Sequence, residues 1–493
     1  MIARAGIFSK RAGQNIKGYS PHILKTKAVL IWYGLFILEK NMKSPYNKKV
    51  FYTQLLSVAI PIALQNLIIF GVSAADSLML SKIGSEAISA ATIANQPFFI
   101  FQMFIFGLAG GGSVLCSQYW GKGDIKRVKS VILLVVAIAA TVGFALTILV
   151  NISPVALMKL FIKDEKALSM AADYLKITSF SYVFFGVSMG LTNSFRSIES
   201  VRASVFSAGI SFLVNILLNY ILIFGKLGFS PLGIKGAAIA TFAARIVDFL
   251  IISVYVLFVD KKIKIRLDKA LLSFPKKPLL RSFLRYSLPV VTNELSWALA
   301  ISAQSAILGR ISSGAVAAAS IANTASQLVT VLIFGLSNAS GVMVGKKIGQ
   351  GEMQTAKAYS KTLLNISLIV GLVAAVILFS LTNGFVTLYS LDEATASLAR
   401  KMLTVTAVIT FFNAISAVTL VGILRGASDT KFCMTLEISA LWLFSVPLGA
   451  VCAFFFSFPP PLVYLILKLD EPLKSFVAFI RCRRAHAFSD ITY

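Results

Sequence analysis

Two stretches of this chain, 228 residues apart, carry one pattern, and both are built from apolar segments long enough to cross a membrane. The run from Leu55 through Ser57 to Pro61 returns as Phe283 through Arg285 to Pro289, and Ile93-Ala94-Asn95 returns unchanged as Ile321-Ala322-Asn323. Ile105-Phe106-Gly107-Leu108 reappears as Ile333-Phe334-Gly335-Leu336, and Gly121-Lys122-Gly123-Asp124 as Gly349-Gln350-Gly351-Glu352. Four ungapped matches imply an internal duplication. Duplicated bundles of membrane helices commonly place a ligand site where the repeats meet.

Composition agrees with a lipid environment. Charged residues make up 14% of the chain and hydrophobic ones 57%, against about 25% charged in an average soluble protein. With about 20 apolar residues needed per crossing, twelve spans are expected: 53–76, 93–116, 130–151, 172–193, 203–224, 234–258, 284–307, 320–344, 361–382, 401–422, 434–456 and 459–480. The expected architecture is therefore an all-α integral membrane protein, with twelve transmembrane helices in two pseudo-symmetric six-helix bundles. Its divisions are a basic N-terminal extension (1–50), a first bundle (51–258), a linker (259–283), a second bundle (284–480) and a tail (481–493).

The formal net charge of +27 is placed asymmetrically. Ten Lys and Arg precede span one, four lie between spans two and three, and nine fall between Asp260 and Arg285. By the positive-inside rule both termini are expected in the cytoplasm of a multi-pass cell-membrane protein. With no soluble basic face in view, nucleic acid is not an expected partner. Residues 1–41 contain one apolar run, Ala28 to Leu38, too short to span, and translation is expected to begin naturally at Met42.

Cysteine and histidine usage argues against an enzyme. Cys116, Cys433, Cys452 and Cys482 have no CxxC spacing, and the two histidines, His22 and His486, lie near the ends, so no metal cluster or nucleophilic triad can be assembled. No cofactor is expected. The glycines Gly107, Gly110, Gly111 and Gly112 lack a following GxxxxGK[ST] and read as close helix packing.

A charge in a span costs about 2.5–3.5 kcal/mol, so each needs a reason. Arg245 and Asp248, three apart in span six, can neutralise each other, and Lys468, Asp470, Glu471 and Lys474 alternate in sign in span twelve. Asp76 and Glu294 have no such sequence neighbour. Span one carries a polar stripe of Asn66, Ser73 and Ser77 with Asp76 on its shoulder and Gln65 at its start. Span seven carries Asn293, Glu294, Trp297, Gln304 and Ser305 at equivalent positions. Two such stripes facing each other are expected to line one central cavity. Asn95, Gln96, Asn323 and Gln327 add polar groups from spans two and eight, and Asn215 and Asn219, four apart, share one face of span five.

These segments resemble the multidrug and toxic compound extrusion (MATE) family. The likeness rests on Ala59-Ile60-Pro61 through Val72-Ser73-Ala74-Ala75-Asp76-Ser77, then Ala90 to Pro97, Leu288-Pro289 through Asn293-Glu294-Leu295-Ser296-Trp297, and Leu424-Arg425-Gly426-Ala427-Ser428-Asp429-Thr430. The resemblance implies a pair of six-helix bundles exporting organic cations in exchange for sodium ions or protons; the expected partners are small organic cations and the lipid bilayer, and the expected state is a monomer. It implies cation coupling at Asp76 and Glu294, with transient sodium at either. The pattern departs from the family at Asn219, where one branch has an aspartate, and near Asn413, where another has an acid. A flippase for lipid-linked oligosaccharides, or a receptor or scaffold that kept the fold, are the alternative readings.

Overall fold

The computed structural model describes residues 46–159, 165–265, 277–389, 391–483 and 488–491. The expectations for residues 1–41, Met42, His22 and His486 lie outside the described residues. Residues 49–493 form one compact unit.

Where no water can satisfy the backbone, a spanning segment closes its hydrogen bonds internally, and the helix does this within one segment. Among the described residues the chain runs through α1 (Lys48–Ser81), α2 (Ser85–Ala94), α3 (Gln96–Lys122), α4 (Ile125–Ile152), α5 (Pro154–Lys159), α6 (Glu165–Ser179), α7 (Ser181–Ser197), α8 (Arg202–Phe224) and α9 (Ile234–Val254). The second half holds α10 (Lys277–Ile311), α11 (Ser313–Gly349), α12 (Met353–Thr387), α13 (Glu393–Ser416), α14 (Thr430–Ile438), α15 (Val446–Phe454), α16 (Pro460–Leu467) and α17 (Asp470–Arg483). Segments of π-helix extend α9 (Tyr255–Val259) and α13 (Ala417–Leu424) and join α14 to α15 (Ser439–Ser445).

Taken as rods, these make the twelve expected spans. Nine are long and apolar enough to cross a membrane by length and composition. The others are span four, interrupted at Phe180 between α6 and α7, span seven with its charged residues, and span twelve, interrupted at Lys468-Leu469 between α16 and α17. Span seven begins at Lys277, so residues 277–283 of the expected linker belong to its helix.

The duplication is visible in the backbone. Gly123 and Gly351 occupy the same repeat position after α3 and α11, and both turn the chain at positive φ, +78° and +77°, a conformation open mainly to glycine. Large apolar side chains point outward on matched helices: Phe144 and Ile148 of α4 correspond to Leu372 and Val376 of α12, and all four are exposed. A patch of that size on a folded surface calls for an apolar surrounding, which here is lipid.

The halves meet through reciprocal glycine contacts. A Cβ at Gly107 of α3 would overlap the backbone of Val291 in α10, and one at Gly335 of α11 would crowd Ala59 and Ala63 in α1. Those two contacts are the same contact read from each repeat. Gly121 lies against the Lys346 carbonyl and Gly349 against the Gln118 carbonyl in the same reciprocal way. Such self-complementary pairing is what a two-fold axis produces. It also bears out close packing as the role of Gly107 and Gly111, the latter set against Ser287.

At the end where α3 and α11 finish, polar bonds join the halves. Lys346 Nζ donates to both Glu199 carboxylate oxygens, at 2.9 and 2.8 Å, and Gln54 Nε2 donates to the same carboxylate. Gln118 Nε2 donates to Ser428 Oγ at 2.8 Å and to the Gly426 carbonyl at 3.2 Å. The backbone of Ile491 donates to Gln118 Oε1 at 3.1 Å, so the tail folds back over this junction.

Candidate functional site

A cavity of about 320 Å³ lies within the first half, in the size range of sites for drug-sized ligands. Its walls come from α1, α3, α6, α7, α8 and α9, with Asn95 at the junction of α2 and α3. Asp76, Asn215, Arg245 and Asp248 supply its polar surface, and Phe98, Phe99, Phe185 and Tyr174 its aromatic one.

Asp76 sits in the last turns of α1. Its Oδ1 accepts from Asn219 Nδ2 at 2.5 Å, and the same Asn219 nitrogen reaches Asn215 Oδ1 at 3.3 Å. The four-residue spacing on α8 thus puts both amides beside the carboxylate, where they are 1% and 0% exposed. Among the described residues, Asn219 Oδ1 has no hydrogen-bond partner. A buried carboxylate with an unpartnered amide oxygen beside it is a place where a proton or a small cation lowers the cost of burial.

Of the expected first-half residues, Gln65, Ser73, Asn95 and Asn215 also line this cavity. Gln65 is not free: its Oε1 accepts from Arg196 Nη2 at 2.6 Å. Asn66 and Gln96 are not among the lining residues. Asp248 accepts from Ser188 Oγ and Ser207 Oγ, each at 2.6 Å, and the Arg245 guanidinium lies over the rings of Phe185 and Phe98, 4.7 and 5.3 Å from their centroids. Arg245 and Asp248 attract each other as expected, though without a direct ion pair, while serines on α7 and α8 reach the carboxylate from neighbouring helices.

The second half is built differently, and Glu294 is not unpaired. Its carboxylate lies 2.8 Å from Arg425 Nη1. Asn293 Nδ2 donates to Glu437 Oε2 at 2.6 Å, and Lys474 Nζ lies 2.8 Å from both Asp470 and Glu471 and 4.0 Å from Glu437. Ser416 Oγ donates to Glu471 as well. The span-twelve charges thus pair locally, as the alternating signs suggest, and draw in span eleven through Glu437.

Gln304 donates to the Leu467 carbonyl at 2.9 Å and accepts from Lys468 Nζ at 3.1 Å, sealing the break in span twelve. Trp297 packs against the second-half core. Asn323 lines a small cleft of about 40 Å³ with Gln304 and Lys468. Gln327 is exposed, and the Oδ1 of half-buried Asn413 has no hydrogen-bond partner among the described residues.

Gln65, Ser73 and Asp76 of the span-one stripe line the first-half cavity, and Asn293, Glu294 and Gln304 of span seven engage Glu437, Arg425 and Leu467 within the second half. Between the halves, glycine-packed contacts join α3 to α10 and α11 to α1. The residues missed by sequence reasoning are Arg425 and Glu437, and Arg245 and Asp248 as cavity groups. The cost of an intramembrane charge flags each of them, but their partners lie on other helices.

Twelve helical spans in two related halves, one enclosing a polar and aromatic cavity, define a multi-pass membrane protein of the transporter class. A family model for MatE matches residues 61–221 and 290–451, one match in each half. The chain belongs to the MatE family. It is 26% identical over 404 residues to a probable multidrug resistance protein NorM of Thermotoga maritima, covering 82% of this chain and 86% of that one. It is 25% identical to a probable multidrug resistance protein YoeA of Bacillus subtilis, over 75% and 80% of the two chains. Its fold matches a multidrug resistance MATE family transporter of the MOP superfamily solved in an outward-facing conformation, with a TM-score of 0.80, 18% identity and coverage of 87% and 94%.

Proposed function

We propose that this protein is a secondary active multidrug exporter, which moves organic cations out of the cell in exchange for sodium ions or protons. The observation that carries the reading is Asp76 in the first-half cavity, backed by Asn215 and Asn219 and faced by aromatic rings. An ionised Asp76 attracts an organic cation, and the rings of Phe98, Phe99 and Tyr174 add stacking and cation–π attraction. A proton or sodium ion arriving at the same carboxylate removes that attraction. Exchange follows when the two cannot be held together and the halves alternate about the site. Asn215 Oδ1 and the unpartnered Asn219 Oδ1 are oxygen donors suited to a hard cation. Glu294 already has its cation in Arg425, so coupling is assigned to Asp76.

With both termini in the cytoplasm, the Lys346–Glu199 and Gln118–Ser428 bonds close the cytoplasmic side, and Asp76 lies toward the outer end of α1. That arrangement suits release to the outside. The protein works as a monomer in the bilayer, with no cofactor beyond the coupling ion.

The test is dye efflux from proteoliposomes under an imposed sodium or proton gradient. Wild type is expected to drive cation-dependent efflux, and Asp76→Asn to reconstitute normally yet lose most of it. Unchanged efflux in Asp76→Asn would overturn the assignment.

A further inference from the structure

Resting on that reading, the geometry points to a strap: residues 488–491 tie the two halves together at the cytoplasmic end, and their release is the step that lets the halves part there.

The last residues of a chain are ordinarily loose unless something ties them down. Here both halves do. The Ser489 backbone N–H donates to the Ala427 carbonyl at 3.3 Å and its Oγ reaches the same oxygen at 3.4 Å, which fixes the segment to the second half. Two residues on, the Ile491 N–H donates to Gln118 Oε1 at 3.1 Å, and the Ile491 side chain packs against the core of the first half. Gln118 Nε2 reaches back to the Ser489 carbonyl at 3.4 Å. A segment merely parked on the surface would need contacts to one half only; this one divides its bonds between the two.

Each contact meets a polar group that the closed junction hides from water. Span ten ends where Ser428 turns to a φ of +72°, and the last carbonyls of a helix have no partner within it; the Ser489 N–H satisfies the one at Ala427. Gln118 is 0% exposed, and its Nε2 donates to Ser428 Oγ and the Gly426 carbonyl. Its Oε1 is served by the Ile491 N–H. A buried acceptor left unmade costs more than a hydrogen bond ordinarily contributes. With the halves together the strap completes Gln118; with the halves apart water does the same, and the strap loses a seat that spans both. It thus favours one state over the other, which is what shifting an equilibrium between them requires. Arg481 lies 2.9 Å from Asp429 and over the ring of Phe432, so α17 ends beside the same turn and a strap that lets go stays tethered close by.

Spin labels at Lys126 and Gln354, exposed residues at one repeat position near the starts of α4 and α12, report how far apart the cytoplasmic ends of the halves stand. The reading is by electron–electron double resonance in nanodiscs, in a background without the native cysteines. Wild type is compared with a chain ended after residue 487 and with Ser489→Pro and Ile491→Pro, each proline removing one of the two backbone donors. The expected result is that all these variants raise the population at the longer separation about tenfold over wild type, the size of one or two hydrogen bonds lost from a buried site. Ser489→Ala, which keeps both backbone donors, should stay within about twofold. Distances that match wild type in both proline variants would overturn the proposal, whatever the fate of the shortened chain, as would a shortened chain that closes as fully as the whole one. Absence of gradient-driven dye efflux by wild type counts against the exporter reading, while the distances still decide the strap.

Discussion

Glu294 shows what a lone charge in a span means only after its partner is found. In the sequence it stands with Asn293 ahead of Trp297, with no basic residue within a helical turn on the C-terminal side. In the fold, Arg425 meets it from the far end of span ten. Removing one member of a buried ion pair leaves the other uncompensated, at a cost of about 3–5 kcal/mol. Arg425→Gln is therefore expected to lower the thermal unfolding temperature in detergent strongly, and adding Glu294→Gln should restore much of the loss. A double variant as unstable as the sum of the singles would show that the two side chains act independently. Asp76, Asn215 and Asn219 were legible as polar residues at helical spacing in apolar spans. Glu437 and the serines around Asp248 were not, because their partners are 144 residues away for Glu437 and 60 and 41 residues away for Asp248.

At the scale of elements, the sequence repeat already marked which glycines matter. Gly107 and Gly335 stand at matched positions, and each brings a helix of one half against a backbone of the other. Gly107→Leu should overpack this contact at a cost of about 1–3 kcal/mol or more, read as reduced expression and melting temperature, whereas Gly209→Ala, with open space at its Cβ, should be silent. A stable but transport-dead Gly107→Leu would instead indicate a moving joint. The start of α13 depends on its cap: Asp392 accepts from the Thr395 backbone N–H at 3.0 Å, which holds its carboxyl below the usual range. A depressed folded-state value contributes stability above the ordinary carboxylate pKa that is lost as pH falls through the folded value. The melting-temperature gap between wild type and Asp392→Ala should accordingly narrow below about pH 4. The number of spans could be read from apolar length alone. The interruption at Phe180 could not, since no proline marks it; the one at Lys468 is signalled only by Pro472 in the first turn of α17, and Lys468 is accommodated by Gln304 from another helix.

For the whole molecule, the polar stripes of spans one and seven were legible along the chain, while how closely the halves meet is set by the small residues that let α3 approach α10 and α11 approach α1. The junction is held at one end by Glu199 with Lys346 and by Gln118 with Ser428 and Ile491. Hydrogen exchange reads how firmly that end is held. Lys346→Met is expected to speed exchange in the last turns of α3 and α11 while leaving α12 unchanged, and unaltered exchange there would show that the ion pair does not hold the halves together.

The reciprocal glycine seam has one more consequence. Two copies that began alike now keep a common fulcrum while their interiors have diverged: the earlier copy retains an open berth, and the later one has filled its interior with interlocked charges. Evolution toward new cargo can thus proceed by altering the first copy's berth, while the second acts as a stiff lever whose fit along the seam stays as it was.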